Sequence, residues 1–358
     1  EKKEGFYTLF EKDEKLFALI KKSQLNQLFL MAISISGGPE FTGWQWDDML
    51  VKWELVDKSL LLVRPNFKHR TEKSNSISEV LKKTYTDSII HAVPVLSMDG
   101  GSILIDCNHV FKRDISELGR VMSMVLGPAG LNSQLSSWSK VKVFPNNVEI
   151  EIKAVFSGSS SLYSDWDPNN KGLSIDGRGI RMNIHYSLSY LPQTGYKPRV
   201  ADDRIGYFLT AHKDYSKSYD SQTQFVRNLH RWHLEKADPE LELSLPKKPI
   251  IFYIEKTVPI RFKHYVKQGI LEWNKAFEKI GIVDAIIVRE QTDKEFTDLD
   301  PEDVNYNFFR WITTGVPYAM GPSRANPLTG QIFDADIVFD DSFIRATSGS
   351  FNVWAPET

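Results

Sequence analysis

The stretch KKPIIFYIEK, followed at once by TVPIRFKHYVKQGILEWNKAFEKIG, constrains the fold more than any other part of the chain. Its first ten residues hold a short, nearly continuous apolar run, the pattern of a strand covered on both faces. In the second segment Phe262, Val266, Ile270, Trp273, Phe277 and Ile280 recur at spacings of three and four. At 3.6 residues per turn they fall on one side of a helix. Thr257 is the expected cap, Pro259 suits the first turn and Gly281 stops the helix. A helix striped in this way must lie on a sheet. The strands VDAIIVRE and NFFRWITT and the hairpin GPSRANPLTGQIFDADIVFDD supply one, in the order β-α-β-β-β.

The first part of the chain has another rhythm. Between Gly5 and Pro65, the apolar runs GFYTLF, KLFALI, QLFLMAISIS, MLVKWELV and SLLLVRP are separated by turn-prone stretches, which predicts an antiparallel meander. In MLVKWELV, Val51, Trp53 and Leu55 share one face, and Lys52 and Glu54 the other. The polar segment KHRTEKSNSIS leads into a short helix, SEVLKKTY, and a hairpin folds about Asp99-Gly100-Gly101. RDISELGRVMSMVLG predicts a helix capped by Asp114, and VKVFPNNVEIEIKAVF and RMNIHYSLSYL predict strands. The class is α+β: β-rich N-terminal domains, then a β-α-β-β-β unit. The expected domains are a small antiparallel β domain over 1–68, an α+β accessory domain over 75–245, and a third over 246–358.

Lys plus Arg number 44 against 46 Asp plus Glu, so the net charge of −2 offers no general attraction for nucleic acid or an anionic membrane. Cys107, the one cysteine, cannot form an internal disulfide. No apolar run is long enough for a membrane span, and the start EKKEGFYTLF lacks the apolar core of a signal peptide, so a cytosolic or already trimmed chain is expected.

The raw material for chemistry is sparse. His230 and His233 are three residues apart, so on a strand they face opposite ways and cannot share an ion. In DWDPNNKGLSID, Asp165, Asp167, Asn169 and Asp176 are spaced like the ligands of a calcium loop, but Asn170 replaces the usual glycine, Asp176 the usual bidentate glutamate, and no helix precedes them. A solvated loop is the competing reading, as it is for Asp293, Glu295, Asp298, Asp300, Glu302 and Asp303. No G-x-S-x-G elbow is present, and Cys107 lies in an apolar, strand-like run. In TGYKPRVADDRIGYF the plain expectation is a structured loop in which Arg199 or Arg204 pairs with Asp202 or Asp203.

The stretches KKPIIFYIEKTVPIRFKHYVKQGILEWNKAFEKIGIVDAIIVRE, FFRWITT and AMGPSRANPLTGQIFDADIVF, with PRVADDRIGYF and RWHLEK upstream, resemble the bacterial zinc-dependent metallopeptidases of the metzincin-like group that carry N-terminal domains of unknown function. The resemblance implies peptide-bond hydrolysis by a zinc-activated water, and a peptide or protein substrate. It implies zinc ligands in an H-E-x-G-H motif on a helix after the strand ADIVF. No histidine follows Asp341, so the chain is expected to stop before that helix and to be inactive by itself. It further implies a cleft rim at Ala335, Asp336 and Ile337, where a substrate strand could add, with an interior strand as the alternative. Asp202 or Asp203 would be a latency switch reaching the zinc of the complete protein, and the location would be periplasmic or extracellular. The competing function is a non-catalytic module binding protein or glycan.

Overall fold

The computed structural model describes the chain except residue 40 and residues 73–75, 127–128, 159–177, 192, 315–317 and 355–358. The calcium-like loop at Asp165–Asp176 lies outside the described residues. Two compact units emerge: Glu1–His230 with Asn326–Gly330, and Arg231–Ala325 with Gln331–Thr358.

The first unit is built on a twelve-stranded sheet whose strand pairs are all antiparallel. The predicted runs appear as strands Thr8–Lys12, Lys15–Lys21, Phe29–Gly37, Trp44–Val56 and Ser59–Arg64, and the glycine hairpin as Ser88–Asp99 with Ser102–Asp106. Sequence neighbours are not always sheet neighbours. Lys15–Lys21 pairs with Ser102–Asp106, and Phe29–Gly37 with Ile180–Tyr190. The regions expected to form separate domains over 1–68 and 75–245 therefore share one sheet.

The sheet's apolar face follows from alternation. Val148, Ile150 and Ile152 lie beside Ile184, Tyr186 and Leu188, which lie beside Met31, Ile33 and Ile35, and all are buried. The opposite face of the same strands is polar yet also buried. There the Glu149 carboxylate sits 2.6 Å from His185 Nε2 and accepts from Ser187 at 2.7 Å and Asn147 at 2.8 Å. Glu151 accepts from Ser36 at 2.5 Å and Ser139 at 2.7 Å. Such contacts offset the cost of taking carboxylates out of water. Asp114 accepts from the Leu118 and Gly119 amides at 3.0 and 2.8 Å, satisfying the start of the Leu118–Leu126 helix. Cys107 is buried, its N–H donating to Leu16 O at 2.8 Å, and burial pushes its thiol pKa up.

The second unit centres on a five-stranded sheet in the order Ile286–Glu290, Ile250–Ile254, Asn307–Ile312, Ile337–Asp340, Ala319–Met320. The first four strands are parallel, and Ala319–Met320 runs antiparallel at the edge. Ser323–Ala325 and Gln331–Ala335 form the expected hairpin, in which the Asn326 carboxamide oxygen accepts the Leu328 N–H at 2.9 Å.

The expected single helix is two: Ile260–Leu271 and Asn274–Glu278. At the junction the Trp273 N–H reaches only to Ile270 O, a tighter i to i−3 step. Asn274 then clamps the edge strand, donating to Ile286 O at 3.0 Å and accepting from its N–H at 2.8 Å. Pro259, not Thr257, occupies the cap position, and no side chain caps the helix. The stripe is divided too. Ile270 is buried, whereas Trp273 is 63% exposed and Ile280 66%.

Gly281 ends this element at φ +85°, and a Cβ there would stand 2.7 Å from Glu242 O. Gly281→Ala is expected to lower the stability of the second unit by about 1–3 kcal/mol. A shift of the urea midpoint to lower concentration checks this; an unchanged midpoint contradicts it.

Candidate functional site

Where the helices lie against the parallel sheet, the second unit keeps an apolar cleft of about 600 Å³. The Ile260–Leu271 helix contributes Phe262, Val266 and Ile270, and the sheet contributes Phe309, Trp311 and Phe339. Trp311 stacks on Phe262 at 5.1 Å and on Phe339 at 5.3 Å, making a continuous aromatic floor. Ile344, from the Asp341–Trp354 helix, closes one side. Asp340 positions that helix: its carboxylate accepts the Ser342 N–H at 2.8 Å and the Thr314 N–H at 2.7 Å. The cleft can bury apolar surface, and among the described residues its lining carries no carboxylate, imidazole or thiol, its one hydroxyl being that of Tyr265.

Charged groups of this unit are buried in pairs. Arg310 NH1 lies 2.6 Å from Glu302 Oε1, and Arg324 NH1 lies 3.2 Å from Asp334 Oδ2, with all four side chains 7% exposed or less. Burial opposes the Arg310 charge, but Glu302, Glu255 and Asp336 outweigh it and raise its pKa. Asp336 accepts the Phe308 N–H at 2.8 Å, yet burial pushes its carboxyl pKa up to about 7 against the pull of Arg310. Asp300, Glu302 and Asp303, read from sequence as part of a solvated acidic face, are buried. The overlooked signal was Arg310, a cation inside the apolar strand NFFRWI, which cannot be buried without a carboxylate partner.

The site residues singled out from sequence fall in different units. Ala335 pairs with Ser323 in the hairpin, and its N–H donates to Asn307 Oδ1 at 2.9 Å. Ile337 opens a strand with neighbours on both sides, the interior placement that the sequence left as the alternative to a rim. In the first unit, Asp202 accepts from Arg204 at 2.9 Å through Nε and 2.6 Å through NH2, and the Arg204 hydrogen bond holds the Asp202 pKa low. Asp203 is exposed nearby. His230 is partly buried, with its pKa lowered by burial, and His233 stands 3.4 Å from Glu235. Among the described residues no group of three or more His, Cys, Asp or Glu side chains could hold a metal ion, and no helix is long and apolar enough to cross a membrane.

Residues 43–237 match a family model described as a domain of unknown function, DUF5117. No curated protein and no solved structure matches the chain.

Folded Asp336 holds its proton more tightly than the unfolded chain does, so its contribution to stability is complete below its ordinary pKa of 3.8 and is lost as pH rises toward about 7. Each unit of that shift carries about 1.4 kcal/mol. Asp336→Asn keeps the acceptor for the Phe308 N–H and removes the titration. Urea unfolding at about pH 4 and pH 7 is expected to show wild type losing stability relative to the variant over that interval. Parallel pH profiles would contradict the assignment.

Proposed function

We propose, for a chain that belongs to the DUF5117 family of domains of unknown function, that it supplies the accessory region and the first half of the catalytic domain of a zinc-dependent metallopeptidase of the metzincin-like group. The described residues do not form the zinc site this reading requires, because they hold no cluster of three metal-ligating side chains. No hydrolytic step is assigned to them. Their part is to bind and to orient.

The observation that carries this reading is the apolar cleft beside the Ile260–Leu271 helix, where Trp311 and Phe339 are only half-buried. Strands of a parallel sheet are normally covered on both faces, and here Phe309, Trp311 and Phe339 line a cleft instead. The helix directly after the ADIVF strand, Asp341–Trp354, carries no histidine and sends Ile344 to the cleft, so the H-E-x-G-H helix that the resemblance implies would be a further one. Within this unit a strand is followed by two helices and then by further strands, three of them parallel to it in the sheet and one antiparallel at the edge, an arrangement that supports the reading. A substrate peptide would add at the outer edge, beyond Ala319–Met320, rather than at Ala335, Asp336 and Ile337. Asp202 or Asp203 remains the proposed latency switch, and the periplasm or the extracellular space the proposed location.

A non-catalytic module for protein or glycan is the second reading. It is favoured by the loop after Arg199, which presents Val200, Ile205 and Phe208, the last 81% exposed. That loop is held in place by the Leu229 N–H on Arg199 O and the Ala201 N–H on Arg227 O.

The decisive experiment uses the product of the complete reading frame. Bound zinc by elemental analysis, peptide cleavage abolished by a chelator, and loss of cleavage in Val266→Arg, which puts a charge into the cleft, are expected. A folded product with neither zinc nor cleavage would leave the binding-module reading.

A further inference from the structure

In the first unit the strands Ser88–Asp99 and Ser102–Asp106 pair antiparallel, with Asp99 opposite Ser102 at the end of the ladder, so Gly100 and Gly101 alone make the turn. Gly100 holds φ +28°, which a residue without a Cβ adopts freely, and a Cβ built on either glycine would meet nothing within 4 Å. The tip stands in solvent: Asp99, Gly100 and Gly101 are exposed, and Met98 is 48% exposed. A backbone contact holds it, the Lys22 N–H on Gly101 O at 2.8 Å. Among the described residues the Gly100 N–H has no acceptor and the Asp99 carboxylate no donor.

Along the chain, a bond from the Gly100 nitrogen to the Asp99 carboxyl carbon closes a five-membered ring. A side chain on the following residue normally crowds that approach, and here the following residue is a glycine in open space. Asp99 must turn out of its extended conformation for the ring to close. As the last pair of the ladder it does so by local opening, without disturbing the buried Ile103 and Ile105 further along. Asp87 and Asp341 are less well placed, because each precedes a serine, whose side chain stands in the way. Both are also engaged, Asp87 accepting the Asn66 N–H at 3.0 Å and Asp341 the Arg345 guanidinium at 2.9 Å.

We propose that Asp99-Gly100 is a site of spontaneous covalent modification, at which the chain isomerises through a cyclic imide to isoaspartate. The Gly100 nitrogen attacks Cγ of the protonated Asp99 carboxyl. The N–Cγ bond forms, a Cγ–O bond breaks, and the departing oxygen leaves as water with its own proton and the amide proton. Water then adds to one of the two ring carbonyls. Opening at Cγ restores aspartate, whereas opening at the main-chain carbonyl leaves the chain running through the side chain, with a free carboxylate beside it. One water is lost and one regained, so no oxidant or other reactant is required. The isoaspartyl turn has an extra main-chain methylene, which breaks the Asp99–Ser102 register and the Lys22 contact with Gly101. The site lies in the first unit and does not depend on the peptidase reading.

The test holds the full chain at neutral pH and physiological temperature, and follows isoaspartate by peptide mapping with mass spectrometry and by methyl transfer from S-adenosylmethionine with an isoaspartyl methyltransferase. Conversion is expected at Asp99 before Asp87 or Asp341. Mapping separates it from Asp176-Gly177, the other Asp-Gly pair, which lies outside the described residues. Asp99→Asn, whose amide is the better leaving group at neutral pH, is expected to convert about tenfold faster. Gly100→Ala is expected to convert several-fold more slowly and Gly101→Ala at the wild-type rate, with circular dichroism confirming that each is folded. An aspartate left intact at 99 in the folded chain while the free peptide of residues 94–106 converts, or equal slowing by Gly100→Ala and Gly101→Ala, overturns the proposal.

Discussion

The parallel sheet of the second unit has to be covered, and most of what is distinctive in that unit follows from how incompletely this is done. Strands such as Ile250–Ile254 and Asn307–Ile312 carry apolar side chains toward both faces, so water on either face is costly. The Ile260–Leu271 helix buries Ile270 and half-buries Phe262 and Val266 against the sheet. It is held there through Asn274, whose carboxamide bonds both backbone groups of Ile286. The aromatic floor beyond the reach of the helix is left as the cleft.

Each unit also buries charge, in a different way. The first sets Glu149 and Glu151 on one sheet face among serines, Asn147 and His185, so each carboxylate is met by short-range donors from adjacent strands. The second opposes whole ions, Arg310 with Glu302 and Arg324 with Asp334. Pairs of this second kind add little net stability over an apolar filling of equal volume, yet losing one partner costs about 3–5 kcal/mol. They tolerate few rearrangements, and the strand and loop that carry them are thereby fixed to one geometry.

Much of this was legible in the sequence because it is local. Alternation of apolar and polar residues located the strands between Thr8 and Arg64, two glycines located the hairpin after Asp99, and the Asp202–Arg204 pair is one of the four pairings that the sequence left open. What escaped notice depends on residues far apart. Lys15–Lys21 finds its partner strand more than eighty residues away, so the boundary expected near residue 68 has no counterpart in the sheet. The glutamates of the VEIEI pattern in Asn147–Ser157 are buried because neighbouring strands supply their donors. The apolar stripe of the long helix continues through Trp273 without any breaker, and only the clamp of Asn274 on a strand twelve residues later shows why the helix tightens there. The cleft was visible only as an apolar stripe that seemed to need full burial.

The lone sulfur of the first unit offers a practical consequence. Cys107 is 1% exposed, and burial holds its thiol in the protonated, unreactive form. An alkylating reagent can reach it only when the surrounding strands open. With no second thiol in the chain to compete, the rate of its modification becomes a clock for the opening of the core around Cys107 in the first unit.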